Sequence, residues 1–451
     1  MTTIPGPQGP PLIRQARELI AGAPRFLNRL ADEYGPFVRF GVFTNTFYLV
    51  SDPELAREVL VAQAAVFPKD ERDIKILSRL VGIGLVTANG EVHKRQRRLA
   101  QPAFHSKRVE AYAGTMVDYT EAMLDEWRDG QVFDAAEEMR QLTMYIVART
   151  LFGADRAAMR ETADRVGGAI HVLQDIADHE FQSPFVLPVW LPTAMNRDRR
   201  AAVATLYGAI DRLIAERRAS GAADTGDLLS MLLLSTDEAG DAFSDTEVRD
   251  QLVTFFVAGH ETTSNALTWT WALLSQHPDV EARLHAEVDE VLGERPPALA
   301  DLPRLPYTLR VIKESMRLYP PAWTLNIRRA AADTAIGPYP IRRGDRIWIA
   351  PFVLHRRPAW FPDPERFDPD RWTPEREKAL PRYAYMPFGG GPRVCIGNGF
   401  ALMEAHLIVA AVARLYRLRL RPDQVIDLNA QVTLSNHGGM HMRAERRASE
   451  T

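Results

Sequence analysis

Apolar residues cluster at residues 37–40 and 47–50, rich in aromatic and β-branched side chains, and predict two short strands joined by a turn around Asn45. Asp52 followed by Pro53 marks a helix start, with the aspartate as cap and proline in the first turn. From residue 90 to about residue 277 apolar positions recur at helical spacing, and the chain reads almost entirely as helices, with a short one over 227–234. The clearest begins after Ser244, where Ser244 and Glu247 form a capping box, and nothing breaks it decisively before Pro278. It spans about 33 residues, roughly 50 Å at about 1.5 Å per residue. Its middle is apolar on most faces, so it is expected to run through the protein.

A further helix is predicted over 306–319, with Leu309, Ile312 and Met316 on one face. After Pro320 short strand-like runs appear, at 327–330 and 346–350, separated by Gly and Pro. Residues 358–372 are rich in Pro and aromatics and lack periodicity, predicting an irregular coil packed by its own rings. A last helix covers 398–415 and short strands close the chain. The fold class expected is mainly α with a small β-rich portion, in a single domain over 1–451, with residues 1–35 as an irregular Pro-rich arm and first helix. The composition, 46% hydrophobic and 25% charged, is that of a globular protein, and a net charge of −3 gives no reason to expect a nucleic-acid partner. No run of 18 or more apolar residues predicts a membrane anchor, and the N-terminus lacks a signal-peptide layout, so a cytoplasmic location is expected.

The chain has one cysteine, which excludes an intramolecular disulfide and disfavours a thiolate-rich zinc site. A lone cysteine is ordinarily a small buried apolar residue. Here it lies in Phe388-Gly389-Gly390-Gly391-Pro392-Arg393-Val394-Cys395-Ile396-Gly397. Glycines let the backbone turn tightly and approach a flat group, and the helix from Asn398 would turn its positive end toward the sulfur. Arg393 can pair with an anion on the rim of such a group. The loop lacks the Lys-Ser/Thr ending of a phosphate-binding loop and the glycine spacing of a dinucleotide fold. At every defining position it resembles the cysteine-ligand loop of the cytochromes P-450. The resemblance implies Cys395 as the axial ligand of haem b iron, with Phe388, Arg393 and Gly397 as cofactor-binding neighbours. It also implies the cytochrome P-450 fold, with the haem between the long central helix and the cysteine loop.

Three further motifs agree. Glu314 and Arg317 are three apart on a helix and can pair. By itself that is an ordinary surface pair; the resemblance implies a structural network completed by Arg371 of Pro369-Asp370-Arg371-Trp372, with Arg366 as a competing candidate. Ala258-Gly259-His260-Glu261-Thr262-Thr263 lies mid-way along the long helix. Glycine and threonines there favour a local kink or bulge, with or without chemistry. The resemblance makes Glu261 and Thr262 the acid–alcohol pair of an oxygen-binding groove and Ala258 a haem and substrate contact. His260 has no partner at ligand spacing and is not read as a metal ligand. His93 and Arg97 are four apart on a basic helix, and the resemblance implies that they and Arg328 meet haem propionates; His93 stands where many relatives have Trp. His355 resembles a family position and stays unassigned.

The implied activity is reductive activation of dioxygen and hydroxylation or epoxidation of a hydrophobic small molecule such as a fatty acid, terpenoid, steroid or polyketide. With the only cysteine used and no flavin or iron–sulfur segment, electrons would come from a separate redox partner, a ferredoxin and its reductase. Basic residues such as Arg393 and Arg97 would suit an acidic partner. A peroxide-driven peroxygenase, a dehydratase or isomerase, or a non-catalytic haem sensor would share the haem; the acid–alcohol pair favours the monooxygenase. The resemblance places Val86, Ala258, Thr324, Leu325 and Leu434 on the substrate pocket, within apolar segments at 83–87, 323–325 and 433–434. Lys69 or Arg72 could meet a substrate carboxylate at an entrance, the plainer reading being surface cations.

Overall fold

The computed structural model describes residues 4–7, 14–42, 45–153, 156–183, 185–221, 223–236 and 240–447. The rest of the expected N-terminal arm and the turn just before Asn45 lie outside these residues. Along the chain the helices that matter here are α1 (Arg14–Tyr34), α2 (Glu71–Val81), α3 (Gly90–Ala100), α4 (Ala135–Phe152), α5 (Arg156–Gln182), α6 (Ala194–Ala219), α7 (Asp245–Gln276), α8 (Pro278–Leu292), α9 (Pro306–Leu318) and α10 (Asn398–Leu415). The strands are β1 (Phe37–Val42), β2 (Asn45–Val50), β3 (Val132–Asp134), β4 (Arg328–Arg329), β5 (Thr334–Ile336), β6 (Tyr339–Ile341), β7 (Arg346–Ile349), β8 (Tyr416–Leu420), β9 (Leu428–Ala430), β10 (Leu434–Asn436) and β11 (His441–Arg446). Two compact units result: residues 1–73, 310–395 and 426–437 form the first, and residues 74–309, 396–425 and 438–451 the second.

The first unit is built on the sheet β1-β2-β7-β4. β1 and β2 pair antiparallel from Phe37↔Val50 to Val42↔Asn45, and β2 pairs parallel with β7, a long-range pairing the sequence does not announce. Both faces are covered. Val38, Phe40 and Leu49 pack against Phe26, Leu27 and Leu30 of α1, with Trp323 and Phe352. Phe37, Tyr48, Val50, Ile347 and Ile349 pack on the other side with Leu60, Phe67, Tyr383 and Met386. Two covered faces explain why β1 and β2 read as apolar runs rather than as clean alternation. Residues 4–7 lie against the sheet edge, where Arg39 N–H donates to Pro5 O at 2.8 Å. Asp52 caps the helix at Pro53 as expected, accepting from Glu54 N at 2.9 Å and Leu55 N at 3.0 Å.

The second unit centres on α7, which starts at the Ser244–Glu247 capping box and runs 32 residues. From Val248 to Leu274 it is buried except at Arg249, Ala258, Gly259, Glu261 and Thr262. The helix is α-helical throughout, so the bulge expected at the Gly–Thr segment does not form. Its threonines bond back instead, Thr262 Oγ1 to Ala258 O at 2.8 Å, and α4 packs alongside, with Thr143 Oγ1 donating to His260 O at 2.8 Å. Tertiary packing thus outweighs the weak local propensity. α10 is long and apolar enough by composition to cross a membrane, but its residues 403–413 are buried among the other helices. A small sheet, β3-β11-β8, closes this unit, and β3 was not legible in the sequence.

Besides His93 of α3, four histidines are buried among the described residues: His260, His285, His355 and His406. Burial pushes them down from 6.5 to about 4, about 3, about 3 and about 4 respectively. Once unfolded, each takes a proton near its ordinary value, so the unfolded state binds more protons below that pH and folding stability falls as the solution is acidified. Denaturant unfolding of the holoprotein measured from pH 7 to pH 4 is expected to show this loss, and replacing His406 by Phe to make the decline shallower.

Candidate active site

The centre of the first unit is an ion pair with no access to water. Glu314 and Arg317 of α9 are 0% exposed and face each other in a bidentate pair, Nε to Oε2 at 2.8 Å and Nη2 to Oε1 at 2.9 Å. The other guanidinium hydrogens go to the carbonyls of His355 (3.0 Å), Pro364 (2.7 Å) and Arg366 (3.1 Å), so every donor of Arg317 is used. Glu314 also accepts from Arg371 Nε at 3.2 Å, Trp372 Nε1 at 3.0 Å and Asp368 N at 2.9 Å. The third partner is therefore Arg371, and Arg366 contributes only its carbonyl. Trp372 and Asp368 complete the network without a signal in the sequence. The expected irregular segment is held by rings as predicted: Trp372 packs on Phe361 (6.2 Å) and on Tyr385 (4.2 Å).

From this pair the structure leads to the cysteine loop. His355, unassigned from sequence, accepts the Met386 N–H on Nε2 at 2.9 Å, which needs the neutral ring that burial enforces. Met386 O in turn accepts from Gly389 N at 3.0 Å, and Phe388 O accepts from Cys395 N at 2.9 Å, closing the loop. The glycines are required by close approach. At Gly391, with φ +66°, an added Cβ would sit 2.1 Å from Leu60 O, and at Gly390 it would sit 2.4 Å from the Tyr383 ring. Cys395 is exposed and Phe388 and Arg393 are half-buried.

Beside the loop in the same unit lie three cations. Residues 66–70 run antiparallel to residues 327–331, with Lys69 opposite Arg328 and Asp70 N donating to Ile327 O at 2.8 Å. Lys69 is 8% exposed, which corrects the surface reading. Burial, then Arg328 and Arg393, hold its pKa well below that of an ordinary lysine. Burial and then Arg393 push Arg328 down to about 10, and burial alone does the same to Arg393. Only Asp73 opposes this, and its own carboxyl is raised to about 6 by burial. Arg328 Nε has no partner among the described residues. Like charges placed opposite one another are costly without an anion among them. A flat cofactor carrying carboxylates and an iron that takes one thiolate fits this donor set, so the residues present suit haem.

In the second unit, Ala258 is exposed and Gly259, Glu261 and Thr262 are half-buried on the otherwise buried α7. Glu261 is held by the Gln174 amide of α5. His260 bonds Phe256 O through Nδ1 at 2.7 Å, a satisfied core histidine as the sequence implied. His93 is buried and Arg97 half-buried on α3, with Arg97 Nε on Gln101 at 2.9 Å. Gly397 precedes α10 and accepts Ala401 N at 2.9 Å. The proposed wall residues divide. Val86 and Leu325 are half-buried, and Thr324 is tied by Trp348 Nε1 at 2.6 Å. Leu434 is 0% exposed within the core around Trp323 and Val38, so it is a core residue rather than a wall.

The protein-family model for cytochrome P450 matches residues 5–441. The chain is a cytochrome P450. Cyclooctatin synthase of Streptomyces melanosporofaciens is 41% identical to this P450 over 430 residues, 95% of this chain and 93% of that one. Cyclooctat-9-en-7-ol 5-monooxygenase of the same organism is 42% identical over 424 residues, 93% and 90% of the two chains. Pentalenene oxygenase of Streptomyces avermitilis is 36% identical over 442 residues, 97% and 96%. The crystal structure of the cytochrome P450DA heme domain matches with a TM-score of 0.89 at 28% identity, covering 99% of this chain and 98% of that chain. This P450 binds haem and is a monooxygenase.

Two substitutions test the network. Arg317→Ala strands a buried Glu314 and is expected to cost about 3–5 kcal/mol, read as loss of soluble, haem-loaded protein on expression. His355→Leu leaves the Met386 N–H buried and unpaired, a cost of about 1–3 kcal/mol. Here the expected readout is a larger share of reduced, CO-bound protein lacking the thiolate-type red-shifted band after mild heating.

Proposed function

We propose that this P450 hydroxylates a terpenoid, with Cys395 as the thiolate ligand, Lys69, Arg328 and Arg393 binding haem carboxylates together with His93 and Arg97, and Thr262 and Glu261 handling protons. The substrate class rests on the relatives, whose names speak of cyclooctatin, cyclooctat-9-en-7-ol and pentalenene. Bound haem supplies the centre at which dioxygen is reduced and from which one oxygen atom is inserted into a C–H bond.

The observation that carries the reading is the opening of α7 at Ala258–Gly259 and Glu261–Thr262 and nowhere else between Val248 and Leu274 apart from Arg249. A helix buried on all sides gains nothing from such a patch unless something else packs there. Two small residues leave room; at Gly259 a Cβ would press to 3.2 Å on Val147. Thr262 spends its own hydrogen on Ala258 O, so its oxygen is left as an acceptor that can orient a water. Glu261, steered by Gln174 and half-buried, can exchange protons with solvent and pass them on through such a water. Val86 in the second unit and Leu325 in the first are each half-buried and carry no charge, side chains that suit a hydrocarbon skeleton.

Electrons come from a separate redox partner, a ferredoxin with its reductase. Arg393 and Arg97 are both half-buried, and Arg97 donates through Nε to Gln101 at 2.9 Å. The protein works in the cytoplasm, with α10 as a core helix.

The test is Thr262→Ala, with cyclooctat-9-en-7-ol and pentalenene as probes. Haem content and the substrate-induced spin shift are expected to stay as in the parent. Product per electron is expected to fall at least fivefold (about 1 kcal/mol in partitioning), with hydrogen peroxide released instead. Unchanged coupling would remove Thr262 from the proton path. Absence of a spin shift with either probe would remove the substrate class.

A further inference from the structure

The segment between α2 and α3 is gripped by its backbone, and the grip comes from α7. Asp250 Oδ2 accepts Ile83 N–H at 2.8 Å, and Gln251 Oε1, one residue on, accepts Leu85 N–H at 3.2 Å. From the other side Gln96 Nε2 of α3 donates to Ile83 O at 2.8 Å. Thr87 Oγ1 ties the loop to itself, donating to Gly82 O at 2.7 Å and accepting Gly84 N–H at 3.0 Å. The two glycines are there because α7 is close. A Cβ on Gly82, whose φ is +69°, would lie 2.3 Å from Asp250 Cγ, and one on Gly84 would lie 2.2 Å from Thr254 Oγ1.

Asp250, Gln251, Thr254 and Gln96 are all buried. Gripping the loop leaves Gln251 Nε2 and Gln96 Oε1 without a hydrogen-bond partner among the described residues, and Thr254 Oγ1, crowded against Gly84, has none either. Buried polar atoms left unsatisfied are unfavourable, so the arrangement is held at a cost that simple packing does not require. While the backbone faces α7, Ile83 is exposed and Val86 half-buried. The loop therefore presents side chains outward from a fixed base.

That base is the helix that carries Thr262. Asp250 and Thr262 are twelve residues apart on one unbroken helix, a separation of about 18 Å that a rigid helix keeps constant. We infer that Asp250 and Gln251 are positioning residues that set which carbon of the substrate is oxidised, by locking the loop at residues 82–87 onto the helix that carries Thr262. Neither residue touches substrate; both act through the positions of Ile83 and Val86. The inference rests on the reading of residues 83–86 as pocket wall.

The experiment uses haem-loaded Asp250→Ala, Asp250→Asn and Gln251→Ala, with cyclooctat-9-en-7-ol and pentalenene as probes. Two readouts are taken: amide hydrogen exchange over residues 82–88, and the ratio of regioisomeric products. Asp250→Ala is expected to speed exchange of the Ile83 and Leu85 amides at least tenfold and to shift the product ratio at least threefold. Haem content and the reduced CO spectrum stay as in the parent. Asn keeps an acceptor oxygen, so Asp250→Asn restores most of both readouts, which a general loss of stability would not explain. If Asp250→Ala does not fold, Gln251→Ala, which removes the Leu85 contact alone, carries the same test. Unchanged exchange overturns the inference, and so does a freed loop with an unchanged product ratio. Val86→Phe separates the two readings. If it shifts the ratio and Asp250→Ala does not, only the positioning role fails; if it too changes nothing, the wall reading fails with it.

Discussion

A carboxylate and a guanidinium sealed from water hold the first unit together. Each would be ruinous alone, and the pair is tolerable because every hydrogen of Arg317 and both oxygens of Glu314 are spoken for. The partners come from residues 355–372, a stretch with almost no regular structure. Apart from a single 3-10 turn at Pro369–Trp372 that stretch has no helix or sheet ladder to fix it, and the buried pair does the fixing. His355 then passes the constraint on, offering its carbonyl to Arg317 and its ring to Met386. The loop that carries the thiol is thus tied, through His355, to the Glu314–Arg317 ion pair about seventy residues upstream.

Much of this was legible in the sequence where the signal is local. The capping box at Ser244, the Asp52 cap, the glycine loop around Cys395 and the Glu314–Arg317 spacing each fit inside a few residues. Local propensity misled at Gly259–Thr263, where α4 packs alongside and the helix continues without a bulge through residues that weaken it. What stayed hidden is non-local. Lys69 looks like a surface lysine until residues 66–70 are paired with residues 327–331, far along the chain. The grip of Asp250 on Ile83 spans a comparable gap, and Asp250 alone on a helix reads as an ordinary solvated acid. Leu434 was placed by resemblance on a wall, but β10 carries it into the core under the sheet.

The two units divide the chemistry. On the proposed reading, the first would hold the thiolate and the cations for carboxylates, and the second the residues for protons, Glu261 and Thr262, and the loop at residues 82–87. Rigid elements supply all the parts that must not drift: α9 for the ion pair, α7 for Thr262 and for the base of the loop.

The crowding of Lys69, Arg328 and Arg393 has a consequence for which prosthetic group the chain accepts. Asp73 opposes their mutual repulsion within the chain, and on the proposed reading acidic substituents at the rim of a bound ring would relieve it further, so those substituents would count toward binding as well as the metal. A porphyrin with its acids blocked as esters would arrive with the correct iron and still leave that repulsion standing, and would be held poorly for a reason unrelated to the sulfur.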